Sequence, residues 1–325
     1  MVSDTPAPGN GLEAYGAAAV SGAGHSAEAV PPEADQRFPA HADEPASRPG
    51  RRISEVPAVA PTLGVVRDLP DAVLGRAIGF RAPAVVLDGV AVAGYCVAAA
   101  SLAGTAHLVA GSVRQDAYDF IATATGSLVV VVADGLGSKT HSQVGARLFC
   151  EGVLLTAGNA AGSIPSGSGL MSAGAAHASQ VARNAYGLDD NEISVVAAVA
   201  IFGSDGCEIV RIGDVSAFAV SAEGEVDELF AADTGYVNEV QSSLPGSSSD
   251  HEERVVTLAG IVAVVTDGLA NDLRTSAAIR SWLGERWRTP LGPYAMGESL
   301  RYRRQGSHDD RTAVVVWADP NTEQM

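Results

Sequence analysis

VVVVADGLGS, running from Val129 to Ser138, is the stretch that decides the reading of this chain. Four valines in succession form a strand buried on both faces, because no residue in the run offers water a polar side. The run ends in Asp134-Gly135. GIVAVVTDGL (Gly260 to Leu269) repeats the pattern and ends in Asp267-Gly268. SHDDRTAVVVW (Ser307 to Trp317) reverses it, with Asp309 and Asp310 before the apolar run. An Asp at the edge of a buried strand is held rigidly beside the core. Three such edges meeting at one end of a fold would form a self-repelling cluster of charge unless a cation sat in it. The pattern therefore predicts a carboxylate metal site.

Composition narrows the classes. The 325 residues are 46% hydrophobic, enough for one large domain or two small ones, and the formal charge is −17. No basic stripe is present, so the chain does not read as a nucleic-acid binder. Cys96, Cys150 and Cys207 are odd in number and widely spaced, which argues against a disulfide framework or a zinc site and favours a reducing, cytoplasmic compartment. The N-terminus lacks the charged-then-apolar order of a secretory signal. Gly89 to Ala106 carries no charge, but it is built of Ala, Gly, Val and Ser without flanking anchors, so it reads as strand and turn, not as a membrane span.

Along the chain, residues 1–65 are rich in Ala, Pro and Gly and read as a disordered tail, with Arg48, Arg51, Arg52 and Ser54 as a solvated basic patch or docking site. Residues 66–91 read as a linker or extra strand, 92–318 as the folded domain and 319–325 as a C-terminal tail. Strands are expected at Tyr95–Gly104, Ala117–Ala124 and Ser127–Ala133. Helices follow at Ser142–Leu155 and Leu170–Tyr186, separated by a Gly/Ser break at Gly162–Gly169. Next come strands at Glu192–Phe202, Glu208–Arg211, Val215–Val220 and Glu225–Phe230, a polar loop over 231–251, and strands at Arg254–Leu258 and Gly260–Thr266. Helices at Asn271–Trp287 and Tyr294–Arg304 precede a last strand at Thr312–Trp317. Hairpins with helix pairs between them point to an α+β fold, a layered sandwich of mostly antiparallel sheets.

Two nucleotide motifs come close around Gly135 and fail. A dinucleotide fingerprint would need a third Gly where Thr140 stands, and Gly137-Ser138-Lys139-Thr140 breaks the spacing of a phosphate loop. Neither explains the other strands that carry Asp.

The ordered set does resemble a known family. Gln115-Asp116-Ala117, then ADGLGS with Ser142 and Gly145-Ala146, then IGDVSAF (Ile212 to Phe218), VTDGL and DDRT follow the motif order of the metal-dependent protein phosphatases, the type 2C Ser/Thr phosphatases. GTAHLVAGSVRQDAY (Gly104 to Tyr118) is similar to a bacterial branch. The resemblance spans roughly 92–318 and implies a β-sandwich flanked by helix pairs.

It also implies a site. Asp134 would bridge two Mg²⁺ or Mn²⁺ ions, the Gly135 carbonyl would bind one of them, and Asp267 and Asp309 would bind the other. Asp134, Asp267 and Asp309 are thereby the catalytic set. Asp116 would act near the site through water or else cap the next element. Asp214 would hold a third, weaker ion or else serve as a turn residue. His107 and Arg114 are candidates for contacting the substrate phosphate, with an ordinary hydrogen bond as the other reading of His107. His141 and His308 would assist proton transfer or make local polar contacts. The implied reaction is hydrolysis of phosphoserine and phosphothreonine by a metal-activated hydroxide, without a phospho-enzyme. Phosphoproteins made by a Ser/Thr kinase would be the partners. Two departures stand out: Leu136 occupies the place of a His found in eukaryotic members, and the stretch from Asp214 to Asp267 is short for the family's flap. The alternative function is an inactive phosphatase-like domain that binds phosphoproteins.

Overall fold

This computed structural model describes residues 59–64, 82–92, 94–204, 206–230, 242–246, 250–257 and 260–318. Its elements run β1 (Thr62–Leu63), β2 (Val85–Val92), β3 (Tyr95–Leu102), α1 (Thr105–Ala110), β4 (Ala117–Ala122), β5 (Leu128–Gly135), α2 (Ser142–Gly158) and α3 (Gly167–Val181), the last prolonged by a π-turn over Ala182–Tyr186. Then come β6 (Val195–Gly203), β7 (Gly206–Ile212), β8 (Ser216–Val220), β9 (Val226–Glu228), β10 (Glu252–Val256) and β11 (Ile261–Val265). The chain continues through α4 (Asp267–Thr275), α5 (Ala277–Trp287), α6 (Pro293–Leu300), β12 (Arg303–Arg304) and β13 (Arg311–Ala318).

The valine runs become central strands. One antiparallel sheet has the order β10-β7-β6-β5-β4, the other β2-β3-β13-β11-β8-β9; β1 and β12 form a separate parallel pair. Alternate side chains of each central strand point to opposite faces. Val130 and Val132 of β5 meet Val262 and Val264 of β11 and Val314 and Val316 of β13 between the sheets. Val129, Val131 and Ala133 face outward and pack under Leu148, Phe149, Val153, Leu170 and Met171 of α2 and α3. On the far side, Ala263, Val265 and Val315 pack under Leu269, Leu283, Trp287 and Met296 of α4, α5 and α6. A side chain of this kind contributes about 1.5–3 kcal/mol when fully buried, so layers apolar on both faces are what hold the sandwich together.

Several boundaries differ from the sequence reading. The fold reaches before residue 92, because β2 pairs along the whole of β3 and β1 pairs with β12. Residues 1–58 and 319–325, and most of the loop over 231–251, lie outside the described residues. The strand expected at Tyr95–Gly104 ends at Leu102 and gives way to α1, so His107 stands on a helix. The Gly/Ser break ends early: Ser166 caps α3, its Oγ accepting from Gly169 N at 3.2 Å. The helix expected over Asn271–Trp287 is two helices, starting at Asp267 and broken at Ser276, whose extended backbone (φ −127°, ψ 105°) caps α5 through a bond to Ile279 N. The helix expected over Tyr294–Arg304 stops at Leu300, where the chain turns into β12.

Candidate metal centre

Register brings the acidic edges to one end of the sandwich. β5 finishes at Asp134-Gly135, and Ala133 lies opposite Ala117, which sets Asp116 at the same edge. β11 runs out at Val265, opposite Ala313 of β13 and Ser216 of β8. Asp267 at the start of α4, Asp309 before β13 and Asp214 before β8 therefore share that end. Arg311 lies opposite Leu102, which carries α1 and His107 there too.

The electrostatics are those of crowded, enclosed carboxylates. Asp116 is 4% exposed, and its Oδ2 accepts from Thr266 Oγ1 at 2.8 Å and Thr312 Oγ1 at 2.6 Å. Burial, then the charge of Asp310, pushes it up to about 8 against those two hydroxyls. Asp134 is raised well above the ordinary carboxylate range by burial and then by Asp116, Asp267, Asp214 and Asp309. Asp267 is pushed up to about 7 by burial, then by Asp214 and Asp309, while hydrogen bonds with Asp134 and with Gly268 N oppose the rise. Among the described residues no Lys or Arg forms an ion pair with Asp116, Asp134, Asp267 or Asp309. The cation whose charge reaches Asp267 is Arg274, and its fork is committed to Glu228, with Nη2 to Oε1 at 2.5 Å and Nε to Oε2 at 3.0 Å.

Such a cluster fits a hard divalent cation. Its donors are carboxylate oxygens, with the Gly135 carbonyl at the same strand end, and among the described residues no Lys or Arg ion pair offsets the charge of Asp116, Asp134, Asp267 and Asp309. Among the described residues a different group of metal-type side chains comes close together: atoms of His107, Asp309 and Asp310 lie within 4.8 Å of one another. Asp310 is fully engaged as scaffold. Its Oδ1 accepts from Gly104 N at 2.7 Å and pairs with His107 Nδ1 at 2.8 Å, and its Oδ2 accepts from Gln115 N at 2.7 Å. Asp309 is exposed, and its Oδ1 accepts from Asp310 N at 2.8 Å.

Two glycines make this packing possible. A Cβ on Gly135 would lie 2.8 Å from Ser142 Oγ and 2.9 Å from the Gln115 carbonyl oxygen. A Cβ on Gly268 would lie 2.1 Å from the Asp310 carbonyl oxygen and 3.1 Å from Asp309 Cβ. The strand-end Asp-Gly pairs are thus sites of backbone contact between elements, as well as carriers of charge.

The remaining candidates fall as follows. His107 is half-buried, and its hydrogen bond to Asp310 raises it above the ordinary imidazole value against the effect of burial. Arg114 is buried, donates from Nε to the Pro83 carbonyl at 3.0 Å and lines a cavity together with Asp116. His141 precedes α2 and lies 3.5 Å from Glu192; exposed His308 contacts Thr105 Oγ1 at 3.0 Å. Leu136 donates its backbone N–H to Ser194 O. Lys139 Nζ donates to Asn191 Oδ1 at 2.5 Å, so the loop that came close to a phosphate-binding motif is tied to the segment before β6.

Sequence reasoning missed Asp310, Thr266 and Thr312 as the frame of the site, and it missed Asp272. Asp272 is 2% exposed on α4 and gathers the segment that carries Asp309. It accepts from Tyr302 Oη and Ser307 Oγ, both at 2.6 Å, and pairs with Arg304 and Arg311. The excess of Arg over 301–311 was the available signal.

The sequence profile of the family described as Protein phosphatase 2C matches residues 103–302. No functionally described protein matches by sequence. Among solved structures, PppA, a regulatory component of T6SS in Pseudomonas aeruginosa, is 20% identical, with a TM-score of 0.51 over 69% of this chain and 98% of its own. The S. agalactiae serine/threonine phosphatase is 16% identical, with a TM-score of 0.51 over 69% and 99%. The catalytic domain of the serine/threonine phosphatase PstP, solved with two manganese ions, is 19% identical, with a TM-score of 0.50 over 69% and 97%. At these identities the structures attest a shared fold.

Proposed function

The chain belongs to the protein phosphatase 2C family of metal-dependent Ser/Thr phosphatases, and from that premise we propose that Asp134, Asp267 and Asp309, with the Gly135 carbonyl, hold the Mg²⁺ or Mn²⁺ ions on which phosphoprotein hydrolysis depends. Asp116 completes the donor set through water, and Asp214 serves a further ion. The observation that carries this assignment is the meeting of four acidic strand edges, Asp116, Asp134 and Asp267 enclosed and Asp309 exposed, with no Lys or Arg ion-paired to any of the four among the described residues.

Bound there, such ions supply a nucleophilic hydroxide at neutral pH and offset the charge on the phosphoryl oxygens. The chain's own residues do the rest. Thr266 and Thr312 fix the Asp116 carboxylate, so the wall of the site does not reorganise. Asp310 ties His107 to α1 and the Gln115 backbone, and it keeps the proton of His107 at Nδ1. A raised His107 beside Asp309 brings positive charge to the substrate phosphate. No Ser or Cys nucleophile is called for, in keeping with direct hydrolysis. The substrates are phosphoproteins, and we assign their origin to a Ser/Thr kinase. No helix among the described residues is long and apolar enough to cross a membrane. Cys96, Cys150 and Cys207 are free thiols, and we assign the chain to a reducing, cytoplasmic compartment.

The test is hydrolysis of p-nitrophenyl phosphate and of phosphoserine and phosphothreonine peptides with Mn²⁺ and with EDTA. Turnover with Mn²⁺ and none with EDTA is expected. Equal, negligible rates in both would replace this reading with that of an inactive, phosphoprotein-binding domain.

A further inference from the structure

A cavity of about 410 Å³ lies between the residues leading into β2, the start of β4 and the first turns of α2. Asp116 is the wall it shares with the carboxylate cluster. Two guanidinium groups line it, from Arg114 and Arg147. Arg114 is 6% exposed, and its Nη1 is buried with no hydrogen-bond partner among the described residues. Of the carboxylates whose charge reaches Arg114, Asp310 has both oxygens taken by Gly104, His107 and Gln115, and Asp116 has its Oδ2 taken by two hydroxyls. Arg147 is exposed and donates from Nη2 to Tyr186 Oη at 3.1 Å. Neither Arg forms an ion pair among the described residues.

A guanidinium taken out of water without an acceptor is strongly unfavourable. Its planar fork matches phosphate and carboxylate oxygens. In a chain of formal charge −17, a buried guanidinium whose Nη1 has no acceptor, even with the charges of Asp116 and Asp310 in reach, is a place kept for an anion from outside. The nearby start of α2, a 17-residue helix, adds to the positive potential.

We propose that this cavity is an oxyanion site, with Arg114 and Arg147 as donors, which takes a second phosphate or carboxylate group of the phosphoprotein substrate. The identity of the substrate rests on the phosphatase reading; the anion chemistry does not. The site would favour phosphoproteins with a second phosphorylated or acidic residue near the scissile one.

Two experiments test it. In EDTA, with the catalytic ions removed, inorganic phosphate is titrated into the full-length protein by calorimetry, with chloride at equal ionic strength as the control. The wild type is expected to bind phosphate. Arg147→Gln, an exposed position where the fold is safe, should weaken binding roughly tenfold, the loss of one charge-assisted contact, and Arg114→Gln should weaken it further. No binding by the wild type, or equal binding by Arg147→Gln, overturns the site. With Mn²⁺, kcat/KM is then compared for a doubly and a singly phosphorylated peptide. Preference for the first, lost in Arg147→Gln through KM, supports the substrate assignment. Equal values in the wild type overturn that assignment and leave free phosphate as the ligand. Phosphate binding in EDTA without any Mn²⁺-dependent turnover supports the anion site and removes the phosphatase reading.

Discussion

Asp134 opposes folding at the very place where we assign it a function. Its carboxyl is enclosed and surrounded by four others, so its ionised form is unfavourable without a cation. Asp134→Asn removes one charge at nearly constant shape. Mn²⁺-dependent hydrolysis of p-nitrophenyl phosphate should fall by roughly a thousandfold, the scale on which loss of one electrostatic contact at the reacting centre acts. The unfolding midpoint in EDTA should rise, because repulsion is relieved. Retained turnover, or a lower midpoint without metal, would contradict the assignment. Asp134 and Asp267 were legible because each ends an apolar run and abuts a Gly. Asp310 was not, because Gly104 and Gln115, whose backbone it holds, lie some two hundred residues upstream. Side by side in sequence, Asp309 and Asp310 look equivalent; only tertiary contacts separate the exposed one from the 2% exposed scaffold.

At the level of elements, the site depends on α4 gripping the chain that leads into β13. Asp272 on α4 is the grip, holding Tyr302, Ser307, Arg304 and Arg311. Asp272→Ala leaves two guanidinium groups facing an empty pocket. Removing one partner of a buried ion pair costs about 3–5 kcal/mol, and urea unfolding should show a loss of that size. Gly268→Ala addresses the same joint from the other side. The new Cβ would sit 2.1 Å from the Asp310 carbonyl oxygen, so the Asp309 segment must move. The Mn²⁺ concentration for half-maximal activity should rise; an unchanged value would show that Asp309 is not held by this contact. The helix pairs and central strands were visible in sequence because their apolar runs match the periods of helix and strand. The break at Ser276 was not, since Asn271–Trp287 keeps helical spacing across it and the interruption is set by capping. Nor was α1, a helix of 6 residues with no buried face.

At the scale of the whole molecule, charge couples folding to pH. Asp116 and Asp267 have folded-state values of about 8 and about 7, far above the roughly 3.9 of an exposed Asp. Below pH 4 folded and unfolded chains both carry these protons, and neither state gains. As pH rises, the unfolded chain releases its protons first, while the folded chain either keeps them or bears crowded charge. Stability of the metal-free protein should therefore decline from about pH 4 and level off only above the folded values, near pH 8. The rise of His107 acts in the same direction. On the proposed assignment divalent cations bind the ionised cluster, so Mg²⁺ or Mn²⁺ should raise the midpoint more at pH 8 than at pH 5.5 and flatten the profile. Thermal unfolding at both pH values, with EDTA and with Mn²⁺, reads this directly. A metal-free midpoint that does not change between the two would mean that the carboxylates are not crowded, and a metal effect independent of pH would mean that the cations bind elsewhere. Asp116→Asn should remove part of the slope in EDTA, because the folded chain holds the Asp116 proton up to about pH 8.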